Sequence, residues 1–155
     1  MYRAAFAFSL AVAISVSPVL VSAQRSARPD ACKLVDDVSA FRLLGWTIDS
    51  REKRPYAIMG ASGTICFLHA SQGQIIVTVP DRGIDFVGAT PYNDANAKSL
   101  ARPVYGLGGD VILYNGTVYV TRYKRSVSVH VVPNDAPTSY PDVEGFARVA
   151  LRHMR

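Results

Sequence analysis

Val104-Tyr-Gly-Leu-Gly-Gly-Asp110, then Val111-Ile-Leu-Tyr114, Asn115-Gly116, Thr117-Val-Tyr-Val-Thr-Arg-Tyr-Lys-Arg125 and Ser126-Val-Ser-Val-His-Val-Val132, is the stretch that decides the fold. Apolar and polar residues alternate with a period of two, broken only by turn residues, which predicts three consecutive antiparallel strands. Asn115-Gly116 between Tyr114 and Thr117 predicts a type I′ hairpin turn, since both central positions of that turn need positive φ. Val118 and Val120 fall on one face, and Thr117, Tyr119 and Thr121 on the other. Tyr123-Lys124-Arg125 turns the chain again. Val127, Val129 and Val131 then alternate with Ser126, Ser128 and His130, the pattern of a strand with one buried and one solvated face. A phosphate loop would need a helix after its glycines. A strand follows Gly106-Leu-Gly-Gly109, so these glycines read as a bend.

Upstream, Thr64–His69 and Gln74–Val79 alternate about the turn Ser71-Gln72-Gly73 and predict a further hairpin, with the small, Gly-rich Ala57–Gly63 leading into it. Asp49–Pro55 is charged and reads as a solvated loop. From Cys32 to Leu44 the spacing turns helical: Leu34, Val38, Phe41 and Leu44 form an apolar stripe, Asp30 is the candidate N-cap and Gly45 the left-handed C-terminal residue. Trp46 follows directly and reads either as a plug of the core or as the anchor of a ligand pocket. Pro80–Gly88 reads as a loop, and Thr90 opens a short helix through Leu100 or Ala101 that Pro103 stops. Beyond the polar segment Pro133–Pro141, Asp142–Met154 is a helix with Val143, Phe146, Val149 or Ala150 and Met154 on one stripe. Its acids come first and its bases last, as the helix dipole favours.

The N-terminus is Met1-Tyr2-Arg3 followed by an apolar run to Val16 and then Val21-Ser22-Ala23, the pattern of a secretory signal peptide cut after Ala23. The run is shorter than the roughly 20 apolar residues of a membrane span; a retained N-terminal anchor is the alternative. Residues 24–30 form a polar, disordered lead-in, and 31–155 a single domain. Loss of Arg3 with the leader leaves a formal charge of +4, 16 basic residues against 12 acidic, too mild for a nucleic-acid footprint. Cys32 and Cys66 are the two cysteines, and in an exported chain an even pair reads as a disulfide, here pinning the first helix to an early strand.

The sequence assembles no catalytic set and implies no cofactor. His69, His130 and His153 lack metal-ligand spacing. A hydrolase would need a nucleophile beside His69 or His130 in a cleft. The glycosylation sequon Asn115-Gly-Thr117 is already explained by its turn. Tyr105, Tyr114, Tyr119 and Tyr123 gather in the central stretch with Arg122, Lys124 and Arg125 beside them. Such aromatics either simply favour strands or, with arginine, mark an interface.

Cys32-Lys33-Leu34 opening a helix that ends Leu44-Gly45, a second cysteine in an early strand, a short helix, the bend Gly106–Asp110, a β-meander and a final helix follow one another in an order that resembles small exported or lipid-anchored bacterial domains of the photosystem-II PsbP type. The resemblance implies an antiparallel sheet with helices packed on it and no catalytic residue; a lipid-attachment cysteine is missing here. The expectation is therefore an α+β domain: an antiparallel sheet of about five strands with N- and C-terminal helices packed on it. It is expected to be a periplasmic or extracellular, non-enzymatic module that binds a protein or an envelope component through Tyr119, Arg122, Tyr123 and His130. The alternative is a small-ligand carrier with its pocket near Trp46.

Overall fold

The computed structural model describes residues 28–58, 61–82, 102–114, 116–135 and 142–154. The expected leader, residues 24–27 of the lead-in, the loop beyond residue 82, the short helix from Thr90 and the segment from residue 136 lie outside them.

Seven antiparallel strands form one sheet: β1 (Ser50–Ile58), β2 (Ala61–Ala70), β3 (Gly73–Pro80), β4 (Arg102–Val104), β5 (Asp110–Tyr114), β6 (Thr117–Arg122) and β7 (Arg125–Pro133), in the order β1-β2-β3-β7-β6-β5-β4. The chain builds β1 to β3 as a meander, crosses to the far edge, and returns as a second meander whose last strand closes on β3. The architecture is α+β as expected, but among the described residues the sheet has seven strands rather than about five.

The two additional strands are the sheet's edges. Asp49–Pro55 is not a loop: Ser50–Ile58 pairs along its length with β2. Its charges fit an edge, where they discourage pairing with another chain, and an edge also tolerates Pro55. Arg51 and Lys53 face the covered side. Arg51 donates to the carbonyls of Cys32 (2.5 Å) and Val35 (2.9 Å) and pairs with Asp37; Lys53 pairs with Asp30 (3.1 Å). At the other edge, Pro103 sits in β4, opposite Ile112; the helix it was expected to stop lies outside the described residues.

The expected first helix is two pieces. Asp30 caps a single 3-10 turn, Ala31–Lys33, and Asp36 then restarts the chain as α1 (Asp37–Leu44), its carboxylate accepting from the Ser39 amide at 2.6 Å. A carboxylate that competes for backbone N–H groups ends one helix as readily as it begins the next. The break rotates the expected stripe out of register. Leu34 and Val35 are both buried, whereas Val38 and Phe41 are 65% and 64% exposed. Ser39 and Ala40 are buried instead. Gly45 ends α1 in the left-handed conformation, as expected.

The last helix, α2 (Val143–His153), follows its predicted bounds, with Asp142 capping Gly145 at 2.8 Å. It lies over β6, and its Phe146, Ala147, Ala150, Leu151 and Met154 close the core on the alternating Val118, Val120, Val127, Val129 and Val131 and on Cys66, Leu68, Ile75 and Val77. The predicted disulfide is present: Cys32 and Cys66 tie the 3-10 turn to β2. Among the described residues no helix is long and apolar enough to cross a membrane.

Candidate anion-binding crevice

Where α1 and α2 meet, they are held close by what one residue lacks. A Cβ on Gly145 would lie 2.3 Å from Leu43 Cδ2, so an alanine there would make the Leu43 side chain move aside. Between the two helices, the β4–β5 bend and the end of β6 lies a crevice of about 470 Å³. Its apolar lining includes Leu43 and Leu107, and its polar lining is dominated by four arginines: Arg42 on α1, Arg122 at the end of β6, and Arg148 and Arg152 one turn apart on α2.

The acids beside them are mostly committed. Asp142 caps α2, and Glu144 pairs with Arg148 at 3.1 Å. Asp36 is held below the usual carboxylate range, chiefly by hydrogen bonds from Ser39, with a smaller contribution from the positive charge of Arg152. No ion pair joins Arg42, Arg122 or Arg152 to a carboxylate of a described residue. Arg122 is the least satisfied. Its Nε is buried without a partner among the described residues, one terminal nitrogen reaches the Leu151 carbonyl only at 3.5 Å, and its guanidinium stacks over Tyr123 at 4.9 Å. A partly desolvated cation without a counter-ion is unfavourable, and guanidinium groups match carboxylate and phosphate oxygens in pairs.

The four residues expected to form a binding surface do not share one. Register places Tyr119 and His130 on the sheet face away from the helices, where both meet Thr117: His130 Nδ1 lies 2.7 Å from Thr117 Oγ1, and Tyr119 shares a hydrogen bond with the same hydroxyl. Burial raises the Tyr119 phenol above its ordinary pKa. That face is mixed rather than fully solvated: Ile65, Phe67 and Ile76 are half-buried on it, and Ile112 is buried. Thr117 puts a hydroxyl beside His130, but as directly opposed residues of neighbouring strands, an ordinary cross-strand pair. Arg122 is on the other face, under α2, and Tyr123 is at the hairpin tip beside it. Trp46 is buried in the core, with a ring atom 2.7 Å from where a Cβ on Gly73 would stand, and is not part of the crevice lining.

Sequence reasoning passed over Arg42, Arg148 and Arg152 as a site because their approach depends on how α1 packs on α2. For Arg122 the signal was there: it has the parity of Val118 and Val120, so the alternation already assigned it to the buried face. The chain matches no family model, no curated protein and no solved structure.

Proposed function

We infer that this chain is an exported, non-enzymatic binding module and that it recognises an anionic group of its partner through the arginine crevice. The supporting observation is Arg122, a partly buried guanidinium with no carboxylate partner among the described residues, beside two exposed arginines, Arg42 and Arg152, that likewise pair with no carboxylate of a described residue. An incoming carboxylate or phosphate supplies the missing counter-charge and acceptors. The disulfide accords with an oxidising compartment.

The test is thermal stability in phosphate or citrate against chloride at matched ionic strength, for the wild type and for Arg42→Gln/Arg122→Gln. Multivalent anions stabilise any protein to some degree by exclusion from its surface, so the readout is the difference between the two proteins. A larger, saturating rise in the wild type, absent from the double variant, supports the reading. Equal rises in both overturn it.

A further inference from the structure

We propose that the anion taken up by the crevice is the head of a small amphiphilic acid: a monocarboxylate that meets Arg122 while its apolar body lies against Leu43, Leu107 and Leu151. This rests on the crevice being the binding site and names the chemical class of what enters it.

Arg122 differs from the other arginines of the lining. Arg42, Arg148 and Arg152 are exposed and keep their water, whereas Arg122 is half-buried and its Nε is fully so. Its surroundings are apolar. A Cβ on Gly109 would lie 2.7 Å from Leu151 Cδ2 and 3.5 Å from Arg122 Cβ, so the β4–β5 bend, Leu151 and the root of the Arg122 side chain meet at one place. Leu107 on that bend and Leu43 on α1 are half-buried; each packs on the core and also lines the crevice. Val149 is buried in the same lining. Folding thus leaves incompletely covered leucine surface and one partly dehydrated guanidinium in a single hollow.

That combination selects among anions. An inorganic ion satisfies the guanidinium but gives up water against the leucines, where nothing replaces it. A carboxylate on an apolar body gives up only the water of its head, and its two oxygens match the guanidinium in parallel hydrogen bonds. The body then covers the leucines, and each methylene it buries raises affinity by up to about fourfold. Asp142 shares the lining, which favours a head of one negative charge over one of two. A volume of about 470 Å³ lies within the range of small-molecule sites. A polypeptide added as a strand does not fit: β6, which supplies Arg122, is already paired on both sides, with β5 and β7.

The experiment is an NMR chemical-shift titration of the isotope-labelled, disulfide-bonded protein at constant ionic strength. The ligands are acetate, butanoate, hexanoate, neutral hexanamide and inorganic phosphate. Hexanoate is expected to bind more tightly than phosphate, and affinity to rise from acetate to hexanoate by up to about fourfold per methylene. Hexanamide is expected not to saturate the site. Arg122→Gln should weaken hexanoate binding about tenfold or more. Leu107→Ser should flatten the dependence on chain length and leave stabilisation by phosphate unchanged, and Arg54→Gln, at an exposed position on β1, should alter neither. Equal binding of acetate and hexanoate, with anion stabilisation through Arg42 and Arg122 intact, would overturn the amphiphile and keep the crevice as an anion site. Hexanamide binding as tightly as hexanoate, or hexanoate binding undiminished in Arg122→Gln, would overturn it too. So would a peptide ending in a free leucine carboxylate that binds about tenfold more tightly than hexanoate, which would give the site to a protein terminus. No response to any anion would sink the crevice itself as a binding site.

Discussion

Breaking the Cys32–Cys66 bond is predicted to destabilise the domain by about 3–4 kcal/mol. The bond closes a loop of 34 residues, and the chain-entropy relation for a loop of that length gives this figure at room temperature. For a chain of this size it corresponds to a fall in melting temperature of roughly 10–15 °C. The structure says where the released freedom appears. The loop contains the 3-10 turn, α1 and β1, and Cys66 is fully buried at the centre of β2. Urea unfolding of the oxidised protein, the reduced wild type and Cys32→Ala/Cys66→Ala separates the contributions. Reduction keeps the sulfurs in place and removes only the constraint; the alanine pair adds a small void worth at most about 1 kcal/mol more. The slope of stability against urea should also steepen, because the uncrosslinked unfolded chain exposes more surface. A loss below about 1 kcal/mol with an unchanged slope would refute the reasoning, and would mean that Leu34, Val35 and the Arg51 hydrogen bonds already confine the loop.

Gly73→Ala is predicted to cost about 2 kcal/mol or more in the same unfolding assay, because its Cβ would lie 2.4 Å from the Val132 carbonyl oxygen and 2.7 Å from Trp46, and the backbone atom cannot move aside. Gly45→Ala has open space around it but a φ of +71°, and should cost only about 1 kcal/mol. Asp36 has its pKa lowered in the folded state, so its contribution is complete above the unfolded value of 3.8 and is lost as the pH falls through 3.8 toward the lower folded value; melting temperatures across the acid range should show Asp36→Asn, still a good cap, losing less stability there than the wild type. Tyr123→Asn/Lys124→Gly should raise stability by about 1–2 kcal/mol in the urea assay by relieving two left-handed residues.

What was legible in the sequence was what is written locally. The hairpins β2–β3 and β5–β6–β7 follow from period-two alternation and turn residues, α2 from its stripe and its charges, and the disulfide from a count of two. The edge strand β1 was not legible because Ser50-Arg-Glu-Lys-Arg-Pro55 has no apolar face to reveal. Its covered side carries Arg51 and Lys53, which are exposed and reach Asp30, Asp37 and two backbone carbonyls far back in the chain. The stripe over Leu34, Val38, Phe41 and Leu44 failed for a related reason. An uninterrupted helix would have buried it, but two aspartates in series each satisfy a separate helix start, and α1 then turns Ser39 and Ala40 inward, where small side chains let α2 approach. The crevice depends on that packing, so only Arg122, fixed by strand parity, left a trace of it in the sequence.

The two hairpin turns bring the remaining reasoning to a point. Between Tyr114 and Thr117 the chain uses Asn-Gly, the pair that accepts positive φ at least cost. Between Arg122 and Arg125 it makes a turn of the same length with Tyr123 at φ +49° and Lys124 at φ +60°. Two ordinary residues in that region cost about 1–2 kcal/mol each. The visible return is the stacking of Arg122 on the Tyr123 ring, and a cation–π contact at an exposed site contributes only about 0.5–1 kcal/mol. Packing does not make up the difference, since most of the ring is in water. The local balance is therefore unfavourable, and the turn follows directly on Arg122, which lines the crevice. Strain of this kind persists where the side chain is needed for something outside the fold. A tyrosine held out over an arginine that has no carboxylate partner among the described residues meets that condition if both touch the same ligand.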